Sequence, residues 1–91
     1  MASYSLEIKR SAAKELAQVP PKDRGRIIAR IQALAEDPRP VGAEKLSGQE
    51  RYRVRQGDYR ILYEIEDQVL RIMVVKIGHR RDVTLPRSSG Q

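Results

Sequence analysis

The stretch from Arg51 to Ile65 constrains this chain more than any other. Tyr52 and Val54 alternate with Arg51, Arg53 and Arg55, and Tyr59, Ile61, Tyr63 and Ile65 then recur at every second position. A period of two marks strands with one buried face. Gly57-Asp58 lies between the two runs and suits a tight hairpin turn. With Gly57 and Asp58 as the loop, Val54 faces Ile61, Tyr52 faces Tyr63, and Arg55 sits opposite Arg60. Moving the loop to Gln56-Gly57 pairs Arg53 with Arg60 and keeps the same faces. A three-residue loop would bring Tyr59 onto the arginine face, against the pattern. In either retained register two arginines oppose each other across a ladder, which costs free energy in the absence of an anion.

The remaining elements follow from similar patterns. Tyr4, Leu6 and Ile8 alternate with polar residues and predict a first strand. Ser11 is placed to cap a helix from Ala12 to about Gln18, with Ala13, Leu16 and Ala17 inward. Pro20-Pro21 ends it, and Pro21 can open a second helix. There Ile27, Ile31 and Leu34 recur at i, i+4 and i+7, with Ile28 and Ala35 beside them, while Arg24, Arg30, Gln32 and Glu36 face mostly outward. Asp37-Pro38 closes that helix. Beyond the hairpin, Glu66-Asp67-Gln68 predicts a short turn. Val69 to Ile77 reads as an apolar central strand covered on both faces and ended by Gly78. The order is β-α-α-β-β-β. The expected class is α+β, a small antiparallel-dominated sheet with a two-helix layer on one face.

Composition narrows the chemistry. The 91 residues suit one domain, placed at residues 1–84, with residues 85–91 as a flexible C-terminal tail. The net charge is +6, with arginine the commoner cation, and this favours polyanionic partners. Residues 1–40 hold 8 cations and 5 acids and residues 41–91 hold 10 and 7, so neither half is especially basic. Placement must carry the signal. The absence of cysteine excludes thiolate metal sites and cysteine nucleophiles and suits a cytoplasmic location. A lone histidine excludes sites needing several imidazoles, so no metal and no cofactor is expected. No apolar run approaches a bilayer span, and no membrane partner is expected.

The arginine face of the hairpin has two readings. One is a solvated polar surface. The other, which we favour, is an anion site, because guanidinium forks hold phosphate bidentately and clustered ones lose their repulsion when it binds. The acids nearby are few, Asp58 and Glu64. Tyr52, Tyr59 and Tyr63 could stack on RNA bases, but sharing their parity with Val54 and Ile61 favours core packing. Lys45 is either a phosphate contact or a solvated lysine, and Asp82 most simply pairs with Arg81. His79 is the chain's one imidazole, the residue type best suited to carrying a proton.

Three segments together resemble a known family: Lys45-Leu46-Ser47-Gly48, the hairpin from Tyr52 to Tyr63, and Val75-Lys76-Ile77-Gly78-His79-Arg80-Arg81-Asp82-Val83. They are similar to the RelE/ParE superfamily of toxin–antitoxin modules, and to its RelE branch in particular, over positions 3 to 83. The resemblance implies a ribosome-dependent endoribonuclease that cuts mRNA in the A site, stops translation, and is held inactive by a cognate RelB-like antitoxin. It implies catalytic roles for Arg60 and Arg80 at the scissile phosphate. Arg53 and Arg55 stand where well-known members carry lysines. Arg51, Arg81 and Lys45 join them as candidate RNA contacts, and His79 as a candidate proton carrier. Thr84 stands where many members have a base-stacking tyrosine. Arginine stabilises a pentavalent phosphate well but cannot serve as a base, so proton transfer is left unassigned. Two rivals remain open: a ParE-like gyrase inhibitor that is no enzyme, and a catalytically weakened RNA-binding relative.

Overall fold

A computed structural model describes residues 3–46 and 50–79. The elements run β1 (Ser5–Ile8), α1 (Arg10–Ala17), α2 (Pro21–Glu36), β2 (Glu44–Lys45), β3 (Arg51–Gln56), β4 (Tyr59–Glu66), a 3-10 turn (Asp67–Val69) and β5 (Arg71–His79). The strands form one sheet in the order β1-β5-β4-β3-β2. β1 pairs parallel to β5, and every other neighbour is antiparallel. The α+β expectation holds, with a mostly antiparallel sheet and a helical pair. The short edge strand β2 is an addition to it.

The core forms where the two periodicities meet. Ile27, Ile31 and Leu34 of α2 and Ala12 and Leu16 of α1 pack on Val54, Ile61, Tyr63, Ile65, Ile72, Val74 and Ile77 of the sheet. Tyr63 is fully buried, stacks on Tyr52 at 5.9 Å between ring centroids, and donates its hydroxyl to the Pro38 carbonyl at 2.7 Å. Burial pushes its phenol up to about 12. The Arg39 guanidinium lies over the Tyr52 ring and donates Nε to its hydroxyl at 2.9 Å. Core packing is therefore the state of Tyr52 and Tyr63, as their parity indicates.

Three expectations are corrected. α1 begins at Arg10, and Ser11 lies within its first turn instead of capping it. The strand runs straight into the helix: the Lys9 N–H still bonds the Val74 carbonyl, while the Lys9 carbonyl already accepts from Ala13. That phase turns Ala12, Leu16 and Val19 inward and leaves Ala13 and Ala17 exposed. Arg24 is also not wholly outward. Its Nη2 donates to the carbonyls of Val19 at 3.0 Å and Ala17 at 3.4 Å, where α1 ends and its dipole favours a cation.

The third concerns β5. It starts at Arg71, because Asp67–Val69 form a 3-10 turn and Leu70 adopts φ 52°. Helices cover one face of the sheet, so Met73 and Val75 stay half-buried while Ile72, Val74 and Ile77 are buried. A register shift lets Leu62 pair with Lys76 and Tyr63 with Val74, leaving Val75 as an extra residue. This bulge reverses parity along the strand and allows both Val74 and Ile77 to face the core. The Glu15 carboxylate of α1 supports it, accepting from the Ile77 N–H at 2.9 Å and from Lys76 Nζ at 2.8 Å.

Candidate functional site

The hairpin takes the register with Gly57 and Asp58 in the loop. Arg55 pairs with Arg60, Val54 with Ile61 and Tyr52 with Tyr63. Gly57 supplies the positive φ, 61°, that this turn requires. Below the turn Arg53 lies opposite Leu62 on one side and opposite Glu44 of β2 on the other. A turn at Val41-Gly42, with Gly42 at φ 96°, returns the chain after α2 so that Glu44 reaches this edge.

Together these elements enclose a depression of about 190 Å³ lined by Gly42, Glu44, Arg53, Val54, Arg55 and Arg60. Among the described residues that line it, three arginines from two strands stand around one carboxylate, a positive excess. Glu44 Oε1 accepts from Arg53 Nε at 3.1 Å and from Nη2 of the same fork. That hydrogen bond first, then the charges of Arg53, Arg60 and Arg55, hold the Glu44 carboxyl below its ordinary value. The arrangement can accept an anion between opposed guanidinium groups, in line with the anion-site reading.

Other sequence-derived candidates sit elsewhere. Arg51 lies on the same face at the far end of β3, where Nη2 meets Glu64 at 2.6 Å. Lys45 bonds Glu50 at 3.1 Å. Neither lines the depression. His79 pairs with Tyr59 across the sheet and meets that ring edge-on at 5.4 Å. It lines a second hollow with Glu15, Val19, Tyr59 and Ile77, apart from Arg53, Arg55 and Arg60. Alternation explains this. Arg60 pairs with Gly78, so the next residue of β5 falls on the opposite face. Arg80, Arg81 and Thr84 lie outside the described residues.

Glu44 and Gly42 are the lining residues that the sequence reading missed. A two-residue strand has no period to detect, and a lone glutamate before Lys45-Leu46 carries no motif. Among the described residues, no three His, Cys, Asp or Glu side chains are grouped to hold a metal ion, and no helix is long and apolar enough to cross a membrane.

Comparison with known proteins bears on the family and the fold. The chain is 26% identical over 84 residues to toxin RelG of Mycobacterium tuberculosis, covering 88% of this chain and 94% of that protein. Its fold matches the toxin–antitoxin complex RelBE2 of M. tuberculosis with a TM-score of 0.78 at 23% identity, covering 88% and 94% of the two chains. The archaeal RelE–RelB complex of Pyrococcus horikoshii matches with a TM-score of 0.75 at 25% identity, over 86% and 96%. A family model described as the ParE toxin of type II toxin–antitoxin systems, parDE, matches residues 6–84. With a two-helix, five-strand architecture like that of RelE structures and a family match spanning most of its length, this chain belongs to the ParE toxin family, within the RelE/ParE superfamily of toxins.

Proposed function

We propose that this protein is the toxin of a RelBE-type module that cleaves mRNA in the ribosomal A site, without a metal ion, in the cytoplasm. The observation that carries the reading is the convergence of Arg53, Arg55 and Arg60 on one small depression. RNA cleavage through the 2′-hydroxyl puts extra negative charge on the phosphate as the transition state forms. Preorganised cations stabilise that charge. Arg55 and Arg60 grip the phosphate from opposite strands, Arg53 adds a third fork, and Arg80 is carried over from the family resemblance as a further cation there.

The remaining candidates take lesser roles. Arg51 and Lys45, each paired with a glutamate, contribute to RNA binding through long-range attraction only. Arg81 remains an RNA contact by resemblance. His79 supports the hairpin by packing on Tyr59. A cognate RelB-like antitoxin silences the toxin by supplying acids to the arginine face. Residues 1–84 form the toxin domain.

The family model's description favours one rival, a ParE-like gyrase inhibitor. Tightly controlled expression with mapping of mRNA 5′ ends separates the two. Codon-phased cuts that disappear in Arg60→Ala support the ribonuclease. Intact mRNA with an induced DNA-damage response would establish the gyrase reading instead, and intact mRNA with normal growth would identify an inert relative. Thr84→Tyr is expected to raise the cleavage rate, since it restores a ring that can stack on a base.

A further inference from the structure

The cleavage proposed above needs a group that takes the proton of the attacking 2′-hydroxyl. Arginine cannot supply it, because guanidinium stays protonated at any working pH. Among the residues lining the depression, the side chain with basic atoms is Glu44.

We infer that Glu44 is the catalytic base of this toxin, delivered to the scissile site by Arg53. The inference rests on the ribonuclease reading and deepens it. β2 exists as two paired residues, and its pairing sets Glu44 directly across from Arg53. Both hydrogen bonds from Arg53 fall on Oε1, and among the described residues Oε2 carries none. The Glu44 side chain is 64% exposed, open to RNA presented by a large partner. The charges facing it are Arg53 and Arg55 from β3 and Arg60 from β4, while the adjacent Lys45 is engaged by Glu50. Before phosphate binds, this field keeps the carboxylate ionised. A bound phosphate draws the forks of Arg53, Arg55 and Arg60 to itself and brings negative charge beside Glu44. Both changes raise the carboxylate's affinity for a proton.

The step balances without a co-reactant. Glu44 takes the 2′-hydroxyl proton as the 2′-oxygen bonds to phosphorus. The bond from phosphorus to the 5′-oxygen breaks, and that oxygen leaves with the electron pair and takes a proton from water. The hydroxide so formed recovers the proton from Glu44. The products are a 2′,3′-cyclic phosphate and a 5′-hydroxyl.

Single-turnover cleavage of mRNA on programmed ribosomes, at saturating full-length toxin, tests this. Glu44→Gln is expected to slow cleavage roughly 10²- to 10³-fold, with affinity for the ribosome unchanged or tighter. Glu44→Asp keeps a carboxylate and should retain intermediate activity. Formate should restore cleavage to Glu44→Ala but not to Arg60→Ala. A wild-type rate in Glu44→Gln, or a slow Glu44→Ala that formate does not restore, would overturn the role of Glu44 while the ribonuclease reading stands. No cleavage by the wild-type protein would overturn both.

Discussion

The two ends of the β3–β4 hairpin carry comparable numbers of cations and differ in what faces them. At the open end, away from the turn, Arg51 meets Glu64 at 2.6 Å and Arg39 meets Asp67 at 2.9 Å. Lys45 meets Glu50 at 3.1 Å, and Arg71 is held by Glu66 and Glu7. At the turn end Arg53, Arg55 and Arg60 line one depression in which, among the described residues, the carboxylate is Glu44, bonded by Arg53. Arg51, Arg53 and Arg55 alternate along one strand and look equivalent in a list of residues. Their partners separate them, one into a neutralised brace and two into a site with an excess of positive charge. The number of arginines on a strand therefore says little about anion binding, and the acid assigned to each by the register says much more.

The largest effect that would break this contrast is on catalysis. Arg60→Ala should lower single-turnover cleavage about 10²- to 10³-fold, the loss expected when one preorganised donor to a developing oxyanion is removed. Next comes binding. Arg55→Ala should weaken single-stranded RNA at low salt and make the slope of log affinity against log salt shallower by about 0.7, the change expected when one cation no longer neutralises a phosphate. Arg51→Ala should leave that slope nearly unchanged.

The contrast can also be sharpened by transplanting an acid. Leu62 lies opposite Arg53 as Glu64 lies opposite Arg51. Leu62→Glu should therefore make the turn end resemble the open end and weaken RNA binding roughly fivefold at low salt. Unchanged binding would show that cross-strand pairing does not govern the site.

At the open end the test is acid stability. Hydrogen bonds from Arg39 and then Tyr4 hold the Asp67 carboxyl below its ordinary value, and Lys45 does the same for Glu50. Carboxylates depressed in the folded state stabilise it above their unfolded pKa and lose that contribution as pH falls through the folded value. The melting temperature should drop by a few degrees below about pH 4, and Arg39→Ala should flatten that drop. The smallest effect belongs to Arg51→Ala, with cleavage within about twofold of wild type and melting lowered by less than about 4 °C, as for a solvent-open ion pair.

Much of this was legible in the sequence, and the physical reason is periodicity. The alternation through Tyr59, Ile61, Tyr63 and Ile65 narrowed the hairpin to two registers with the same faces, one of which the structure shows. Ile27, Ile31 and Leu34 likewise marked the buried stripe of α2. Features without a period escaped. β2 is two residues long, so Glu44 became visible only through its pairing with Arg53. The bulge at Val75 hid inside a run of apolar residues that fits either parity. Ser11 is a good capping residue, yet the Lys9 hydrogen bond to Val74 set the start of α1 earlier. His79 stood out as the chain's one imidazole, a signal that says nothing of which face it occupies. The one-residue alternation after Gly78 sends it to Tyr59.

The central claim is that the turn end of the hairpin, and not the chain's net charge, receives phosphate. The most direct test is an NMR titration with a short single-stranded RNA that follows the arginine Nε–Hε resonances. Shifts concentrated on Arg53, Arg55 and Arg60, with Arg39, Arg51 and Arg71 nearly still, are the predicted result. Shifts spread evenly over all six, or largest at Arg51 and Arg71, would contradict it.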